Sequence, residues 1–279
     1  MSEVPFEWRI AAEPIDATRM LGYLPSEGVP PLDEQERLAQ AALAGPPAPA
    51  KAPAYPSSCD LRDFNGDNLI TPIRDQGQCG SCVAFGSCAA VEGTLRFEER
   101  DPSLDVDLSE AYLYYCVAAG QGRTCHPPND GWYPKVALEA IKTDGVPDEA
   151  CFPYTAGDQP CGACSDWQAR ATKIAAWQPL DDATQMKQWI SSHGPAVASM
   201  KVYEDFQHYA GGVYSYVTGA AMGGHCICIV GYDDADGFWI GKNSWGSGWG
   251  EGGFFQIVYG QCAIDSGMLG VTGVKPAHS

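Results

Sequence analysis

Hydrophobic residues are arranged differently in the two halves of the chain. In the first half, three segments rich in small and apolar residues predict helices: residues 82–99, 109–120 and 133–145. The first of these, CVAFGSCAAVEGTLRFEE, is apolar on most sides and is therefore expected to be buried. Ser109 and Glu110 suit a helix start, and Gly145 suits a helix end.

From about residue 172 onward the pattern becomes typical of β-strands. Runs of β-branched and aromatic residues are bounded by Gly and Pro, as in PAVASMKV, GGVYSYV, GHCICIVGYD, GFWIGKNSW and GGFFQIVYG. A helical first half followed by a sheet-rich second half predicts an α+β protein with two packed lobes. A cleft between such lobes is where we expect a substrate site.

The N-terminal part of the chain is predicted to differ from the rest. Residues 41–56, AALAGPPAPAKAPAYP, hold seven Ala and five Pro and indicate a linker. Residues 31–45 predict a short helix, because acidic residues lie in its first turns and a glycine ends it: Asp33, Glu34, Glu36 and Gly45. Residues 20–31, MLGYLPSEGVPP, are apolar and interrupted by Pro, which favours an extended chain.

These patterns together predict the organisation of the chain. Residues 1–56 form an N-terminal segment that ends in the Ala/Pro linker. Residues 57–279 form the main part, with a helical lobe at about 57–171 and a β-rich lobe at about 172–279.

The charge of the chain excludes several kinds of partner. Its 279 residues carry 17 Lys and Arg against 35 Asp and Glu, a formal charge of −18, and 45% of them are hydrophobic. This apolar content excludes a wholly disordered chain. The acidic balance argues against nucleic acid, which binds to clustered Lys and Arg. No apolar run approaches about 18 residues, so no membrane span is expected.

Twelve cysteines leave two interpretations of the compartment open. Their number favours secretion or another oxidising compartment, where disulfides persist. The first residues, MSEVPFEWRI, lack the charged and apolar regions of a secretory signal, which is typical of a cytosolic protein. A missing leader, export without a leader, or reduced thiols would each reconcile the two observations.

The segment DQGQCGSCVAFGSCAA contains the strongest candidate for a nucleophile. Gly77 and Gly80 predict a tight loop, and Cys82 opens the helix that follows. A thiol at a helix N-terminus lies beside unpaired N–H groups and the positive end of the helix dipole, which lowers its pKa and favours the thiolate. The alternative is that Cys79 and Cys82 form a redox pair or half of a zinc site, although no βαβ pattern surrounds them.

A nucleophilic thiol needs a base, and His225 is the strongest candidate. The other histidines are His126, His193, His208 and His278. His225 follows two glycines at the start of an apolar strand, a position from which an imidazole can face a cleft. Asn243 can accept a hydrogen bond from that ring and orient it, and Trp245 can exclude water from the bond. In the alternative interpretation, Asn243 is a turn residue and Trp245 a core residue.

Residues 59–266 resemble the papain-like cysteine peptidases. The matching pieces are QGQCGSCVAF, LSEAYLYYC, FPYTAGDQPC, FQHYAGGVY, GHCICIVGYD and KNSWGSGWGEGGFFQI, and they occur in the order of the family. The resemblance implies a two-lobe fold with a helical left lobe, an antiparallel β-barrel-like right lobe and the active-site cleft between them. It implies an enzyme that hydrolyses peptide bonds without a metal or cofactor.

The resemblance also implies a role for each candidate residue. Cys82 would be the nucleophile, His225 the general base and acid, and Asn243 the residue that orients the imidazole. Gln76 would lend its side-chain amide to an oxyanion hole with the Cys82 backbone N–H, and Trp245 would shield the His–Asn bond. The Cys82 thiolate would attack a peptide carbonyl, imidazolium His225 would protonate the leaving amine, and water would hydrolyse the thioester.

The match is less complete where substrate would bind. Val83 replaces the aromatic residue that usually follows the nucleophile. Of the two glycines usual in the strand that holds substrate, only Gly131 is present, in NDGWYP, and Trp132 would narrow the cleft or form an aromatic wall. By position, the main pocket would draw on Tyr133, Ser199 and Cys226.

The same resemblance implies two disulfides in the helical lobe, Cys79–Cys125 and Cys116–Cys161. Cys151 and Cys164 flank Cys161 and are candidates for a third, local bridge. The cysteines left without an assignment are Cys59, Cys88, Cys226, Cys228 and Cys262. Two of these, Cys226 and Cys228, share a strand face opposite His225, where we expect buried free thiols rather than a metal site.

Segment 1–56 does not match the long helical propeptide of many family members. We expect it to act as the pro-region of a zymogen, with residues 20–31 lying across the cleft as its own ligand. The alternative is a segment that packs on the surface or stays flexible. Polypeptides are the expected substrates, and the chain is expected to be a monomer.

Two other functions compete with hydrolysis. A catalytically silent binding protein on the same scaffold is disfavoured because the full chemical set is present: Cys82, His225, Asn243 and Gln76. A ligase or transpeptidase would form the same thioester and pass the acyl group to an amine instead of water.

Overall fold

The computed structural model describes residues 7–11, 21–43 and 55–277. The linker predicted at residues 41–56 lies mostly outside these ranges, as do Met20 and His278. The helices of the described chain are α1 (Leu32–Leu43), α2 (Cys82–Glu99), α3 (Pro134–Thr143), α4 (Ala183–His193) and α5 (Glu204–Gln207). A π-helix, Tyr112–Ala118, and a 3₁₀ turn, Gln261–Ala263, are also present.

Nine strands complete the described fold. They are β1 (Trp8–Ile10), β2 (Ser58–Asp60), β3 (Ala176–Leu180), β4 (Ala196–Tyr203), β5 (Tyr209–Tyr214), β6 (Ala221–Asp233), β7 (Phe238–Lys242), β8 (Phe254–Val258) and β9 (Met268–Thr272). The α+β class and the two-lobe arrangement predicted from the sequence are therefore confirmed. None of the described helices is both long enough and apolar enough to cross a bilayer.

Helix α2 runs through the centre of the molecule because its small residues allow close packing. It spans the 18 residues predicted from the sequence, and 14 of them are buried. A Cβ atom at Gly86 would lie only 2.9 Å from the Sγ of Cys226 on β6, and one at Gly93 only 2.6 Å from Pro195. Glycine at these two positions lets the sheet approach the helix and places the N-terminus of α2 against β6.

The sheet has the order β1-β5-β8-β7-β6-β4-β9-β3, and β2 also pairs with β6. Two details differ from the antiparallel, barrel-like lobe that was expected. Strands β5 and β8 run parallel, with Val213 opposite Gln256, because two intervening strands connect them and no hairpin imposes an antiparallel pair. Among the described residues the end strands β1 and β3 do not pair with each other, so the sheet stays open.

Helix α4 and strands β3 and β9 were missed by the sequence analysis. The region after about residue 172 was interpreted as strands alone, yet α4 interrupts it at Ala183–His193. The Asp182 side chain caps this helix by accepting the Gln185 backbone N–H at 2.8 Å. Asp182 followed three residues later by Gln185 is a capping-box pattern, so a signal was present in the sequence.

The N-terminal segment packs on the main part of the chain. Strand β1 pairs with β5 at the sheet edge, with Trp8 opposite Gly212. Helix α1 is anchored by Lys201 of β4, whose Nζ lies 2.6 Å from Asp33 Oδ1 and 3.4 Å from Glu36 Oε2. The described residues of this segment therefore contact the β-rich lobe at both ends.

Three disulfides tie the helical lobe together: Cys79–Cys125, Cys116–Cys161 and Cys151–Cys164. The first two are the pairs that the resemblance implies, and the third is the local bridge. The free cysteines are all buried, namely Cys59, Cys82, Cys88, Cys226, Cys228 and Cys262. Three disulfides fit an oxidising compartment. In the described ranges, no group of three His, Cys, Asp or Glu side chains is arranged to hold a metal ion.

Candidate active site

Cys82 lies at the first residue of α2, against strand β6. Its side chain is fully buried, and its Sγ accepts the backbone N–H of Cys226 at 3.3 Å. Strand β6 thus places residue 225, the candidate base, directly beside the residue that touches the thiol. A redox pair with Cys79 is excluded in this structure because Cys79 is bonded to Cys125.

His225 is held in one orientation by Asn243 and Trp245. Its Nε2 lies 2.8 Å from Asn243 Oδ1, and the Trp245 ring stacks on the imidazole with centroids 4.8 Å apart. An amide oxygen only accepts, so Nε2 carries the hydrogen and Nδ1 carries the basic lone pair. Nδ1 has no hydrogen-bond partner in the described part of the chain, which leaves it ready to take a proton.

Gln76 is fixed in the loop that leads to Cys82. Its backbone N–H donates to the Ser244 carbonyl at 2.9 Å, and its Oε1 accepts the Ser244 hydroxyl at 2.6 Å. Because Oε1 is engaged there, Nε2 is turned toward the loop before the helix, where it donates to the Cys79 carbonyl at 2.9 Å. The side chain therefore lies in the loop that leads to the thiol, with its amide nitrogen bonded to that loop.

The cleft between the lobes is occupied by residues 22–24 of the N-terminal segment. On the helical side, the Trp132 N–H donates to the Gly22 carbonyl at 2.7 Å and the Leu24 N–H donates to the Trp132 carbonyl at 2.9 Å. On the sheet side, the Tyr23 N–H donates to the Gly224 carbonyl at 3.0 Å. The Gly22 N–H also hydrogen-bonds with the Cys82 thiol. The segment thus bridges both lobes across the candidate nucleophile.

Gly22 fits this position only because it has no side chain. A Cβ atom there would lie 1.9 Å from the Gly80 carbonyl oxygen, inside van der Waals contact. Gly131 faces it from the other side, and a Cβ on Gly131 would come within 2.9 Å of the Gly22 carbonyl oxygen. Gly131 also has a φ of +80°, a conformation that favours glycine.

The occupied cleft keeps the thiol and the imidazole neutral. Burial raises the pKa of Cys82 to about 12, although hydrogen bonds from the backbone of Cys226 and Gly22 partly oppose this. Burial lowers the pKa of His225 to about 4, partly offset by the bond to Asn243. The expectation that a helix N-terminus lowers the thiol pKa is therefore wrong for this closed form, since desolvation outweighs the helix dipole.

Low pH is expected to weaken the binding of the N-terminal segment in the cleft. In a Cys82→Ala chain, where no thiolate can pair with the imidazole, a proton must leave His225 for the segment to bind, because the pKa of His225 is about 4 in the closed form against an ordinary value of about 6.5. This contribution to closure is fully present above about pH 6.5 and is lost as the pH falls toward 4. Binding should be about 10- to 30-fold weaker at pH 5 than at pH 7.5.

The measurement uses the Cys82→Ala chain with a recognition site for a sequence-specific protease inserted within residues 44–54. The chain is folded intact and then cut there, which gives the cleaved chain and its N-terminal fragment. Dissociation of the fragment is followed at both pH values. His225→Gln should remove most of the pH dependence. Equal dissociation at both pH values would contradict the expectation.

The structure places the predicted substrate-binding residues at different points of the site. A cavity of about 120 Å³ opens beside Tyr23, and Ser199 lines it, but Tyr133 and Cys226 do not. Tyr133 instead accepts a hydrogen bond from Arg123 at 3.0 Å, and Pro134, next along the chain, takes its place in the lining. The Cys226 side chain alternates to the opposite face of β6 from His225, toward Gly86.

Trp132 contributes its backbone to the cleft, through the two bonds to residues 22 and 24. Its indole is fully buried, and Nε1 donates to Gln121 Oε1 at 3.0 Å. The hydrogen bond turns the ring toward Gln121, so the aromatic wall that was expected gives way to a backbone contact. A ladder of main-chain bonds needs no particular side chain, which explains how this position can depart from glycine.

A buried charged group behind the site was missed by the sequence analysis. Glu92 of α2 accepts the Thr71 hydroxyl at 2.5 Å, and Lys242, the residue before Asn243, donates to the same hydroxyl at 2.9 Å. Desolvation raises the pKa of Glu92 and lowers the pKa of Lys242. A lysine ending an apolar strand and an acid inside a helix of small residues were the available signals.

Comparisons with known proteins match this chain to cysteine proteases. The sequence profile described as "Papain family cysteine protease" matches residues 55–272. Cathepsin B-like CP3 of Giardia intestinalis is 33% identical, over 81% of this chain and 77% of that protein. Digestive procathepsin L 3 of Tenebrio molitor larval midgut has a TM-score of 0.67 and 27% identity, covering 82% of this chain and 73% of that one.

The fold likeness extends into the N-terminal segment. ProCathepsin B S9 from Trypanosoma congolense has a TM-score of 0.72 at 22% identity, over 95% of this chain and 92% of that one. At this identity the likeness concerns the fold. The comparisons therefore pair this chain with peptidases and with their precursor forms.

Proposed function

The chain belongs to the papain family of cysteine proteases, and on that premise we propose that it is a cysteine endopeptidase made as a self-blocked zymogen. The observation that carries the proposal is the contact of the Cys82 thiol with β6 at 3.3 Å. The same strand carries His225, which Asn243 orients. Residues 22–24 cross the cleft at this point.

The proposed reaction begins when the segment leaves and water enters the cleft. Water in the cleft removes the desolvation that raises the pKa of Cys82 and lowers the pKa of His225. The thiol proton moves to Nδ1 of His225, and the thiolate then attacks a peptide carbonyl. The N–H groups of Gln76 and of the Cys82 backbone stabilise the oxyanion.

Collapse of that intermediate breaks the peptide bond. The proton on His225 Nδ1 passes to the leaving amine, and the acyl group stays on Cys82 as a thioester. His225 then removes a proton from water, which attacks the thioester and releases the acid product. Asn243 holds the ring through Nε2 in every step, and Trp245 keeps water from that bond.

The proposed role of residues 1–56 is to hold the cleft shut until they are removed. Three separate contacts support it: β1 on the sheet edge, residues 22–24 in the cleft, and α1 on Lys201. The proposed boundary with the peptidase, at residues 57–279, stays a prediction, since most of the linker lies outside the described residues. With three disulfides, we propose that the chain works after secretion or in another oxidising compartment.

Thiol labelling tests the proposed function. In the intact chain at pH 6, iodoacetamide should label Cys82 slowly, because its thiol is neutral and covered. In the cleaved chain freed of its fragment, labelling should be at least about ten-fold faster, and peptide hydrolysis should appear with it. Peptide mapping by mass spectrometry identifies the labelled residue. Labelling of Cys82 no faster than that of an ordinary thiol would contradict the proposal.

Product analysis separates hydrolysis from acyl transfer to an amine. The competing ligase would use the same thioester, so an added amine nucleophile at millimolar concentration should be absent from most products of a hydrolase. If the amine-linked product exceeds the free acid, the ligase function is favoured. A protein that labels at Cys82 but releases neither product is a binding protein.

A further inference from the structure

Within the cleft-spanning stretch 22–24, the Tyr23 side chain lines a pocket. It is 8% exposed, and it lines the cavity of about 120 Å³ between α3 and the sheet. Its backbone N–H is bonded to Gly224 at 3.0 Å, one residue before His225. The side chain thus lines a pocket beside β4 and β6, the strand pair that carries Ser199 and His225.

The lining of this pocket combines apolar residues with polar ones, among them the charged Lys135 and Asp181. Pro134, Val197, Met268 and Leu269 form hydrophobic lining. Ser199, Ser266 and Gln35 also line it; Ser199 and Gln35 are buried, and Ser266 is half-buried. An aromatic ring suits the apolar lining. The buried polar side chains require a hydrogen-bonding group from whatever fills the pocket.

The Tyr23 hydroxyl meets that requirement. Gln35 and Ser199 line the same cavity as Tyr23, and hydrogen bonding by these two side chains opposes the rise that burial causes in the pKa of Tyr23. Gln35 is itself held by the Ser266 hydroxyl at 2.8 Å and by the Pro30 carbonyl at 2.5 Å. Gln35 belongs to the N-terminal segment and leaves with it, whereas Ser199 and Ser266 belong to the peptidase. After removal of the segment, the pocket keeps serine hydroxyls at the end where a phenol was bound.

We propose that Ser199 is a specificity-determining residue that selects substrates carrying a tyrosine side chain in this pocket. The proposal rests on the proposed function and adds the substrate class to it. A phenylalanine ring would fill the same walls but would leave the buried Ser199 hydroxyl without its partner, whereas a tyrosine restores the bond. Sites built to pair with a hydroxyl reject the analogue that lacks it.

The first test compares two substrates that differ only in Tyr against Phe at the position filling this pocket. With the cleaved chain, kcat/KM for the Tyr peptide should exceed that for the Phe peptide by about three- to ten-fold. In Ser199→Ala the ratio should fall to about one, because the Tyr advantage comes from that hydroxyl. Ser192→Ala, an exposed serine on α4, is the matched control and should keep the ratio.

The second test measures binding and needs no catalysis. In the Cys82→Ala background, the N-terminal fragment carrying Tyr23→Phe should dissociate about three- to ten-fold faster from the cleaved chain with Ser199. With Ser199→Ala, the same change should have a clearly smaller effect, which isolates the contact between the two residues. If hydrolysis fails but this coupling is present, the pocket assignment holds and the proposed function does not.

Two results would overturn the proposal. One is a Tyr-to-Phe ratio that is equal in the wild-type and Ser199→Ala chains. The other is a Tyr23→Phe effect on dissociation that is the same with and without the Ser199 hydroxyl. In either case, any preference of the pocket for Tyr or Phe comes from its apolar lining, and the Ser199 hydroxyl does not distinguish the two side chains.

Discussion

The Cys82→Ala variant of the cleaved chain is expected to lose at least about 10⁴-fold in peptide hydrolysis. No thioester can form without the sulfur, and the remaining groups supply only binding and oxyanion stabilisation. Steady-state kcat/KM with a fluorogenic peptide measures the loss. The same variant should still bind its N-terminal fragment, because the backbone bonds of residues 22–24 to Trp132 and Gly224 do not involve the thiol.

Cys59→Ala is the matched control for this loss. Cys59 is also a buried free thiol, but it lies on β2, which pairs with the far end of β6 at Tyr232. Its replacement should leave kcat/KM within about two-fold, since it touches none of the reacting groups. Hydrolysis that survives in Cys82→Ala, or that disappears equally in Cys59→Ala, would show that the reaction does not proceed through Cys82.

The second large effect is expected at Gly22, in the uncleaved chain. Gly22→Ala places a Cβ 1.9 Å from the Gly80 carbonyl oxygen. Both partners are backbone, so the clash is relieved only by lifting the segment away from the cleft. Overpacking of this kind costs about 1–3 kcal/mol, so we expect hydrolysis by the intact chain to rise by up to about 100-fold. The initial rate of hydrolysis of a fluorogenic peptide measures the rise. It is recorded before a gel shows any self-cleavage of the chain.

Glu27→Ala in the same segment is the control, because Glu27 is exposed and should leave the inhibition unchanged. A Gly22→Ala chain that stays as inactive as the wild type while unfolding at the same temperature would contradict the autoinhibitory role. If instead the cleaved form of the variant is also inactive, the substitution has damaged Gly80 and the Cys82 loop. Comparing intact and cleaved forms of each variant separates these two effects.

The closed form explains how blocking and chemistry are coupled. The segment covers Cys82 and at the same time removes the solvent that an ion pair needs, so the pKa of the thiol rises and the pKa of His225 falls. Under the proposed function, opening the cleft restores access to the thiol and its ionisation together. The lysine at position 201 holds α1 from outside the cleft, so it adds to the affinity of the segment without touching the reacting groups.

The sequence by itself determined the family, the α+β class and the helix that begins at Cys82. It also determined the candidates His225, Asn243 and Gln76. Each of these depends on local chemistry that can be recognised along the chain: a glycine loop before a helix, a histidine that opens an apolar strand, and an amide followed by tryptophan. Residues 20–31 were also predicted to cross the cleft, from their apolar and extended character.

Only the tertiary structure decided which atoms meet across the cleft. Gly22 against Gly80, Tyr23 against Ser199 and Trp132 as a backbone partner involve residues far apart in sequence, and no spacing along the chain encodes their contact. For the same reason the pKa of Cys82 is raised where the sequence predicted a lowered one, and the pKa of His225 is lowered. Local sequence places a thiol at a helix dipole, but its ionisation follows the solvent around it, and here a distant segment of the same chain excludes that solvent.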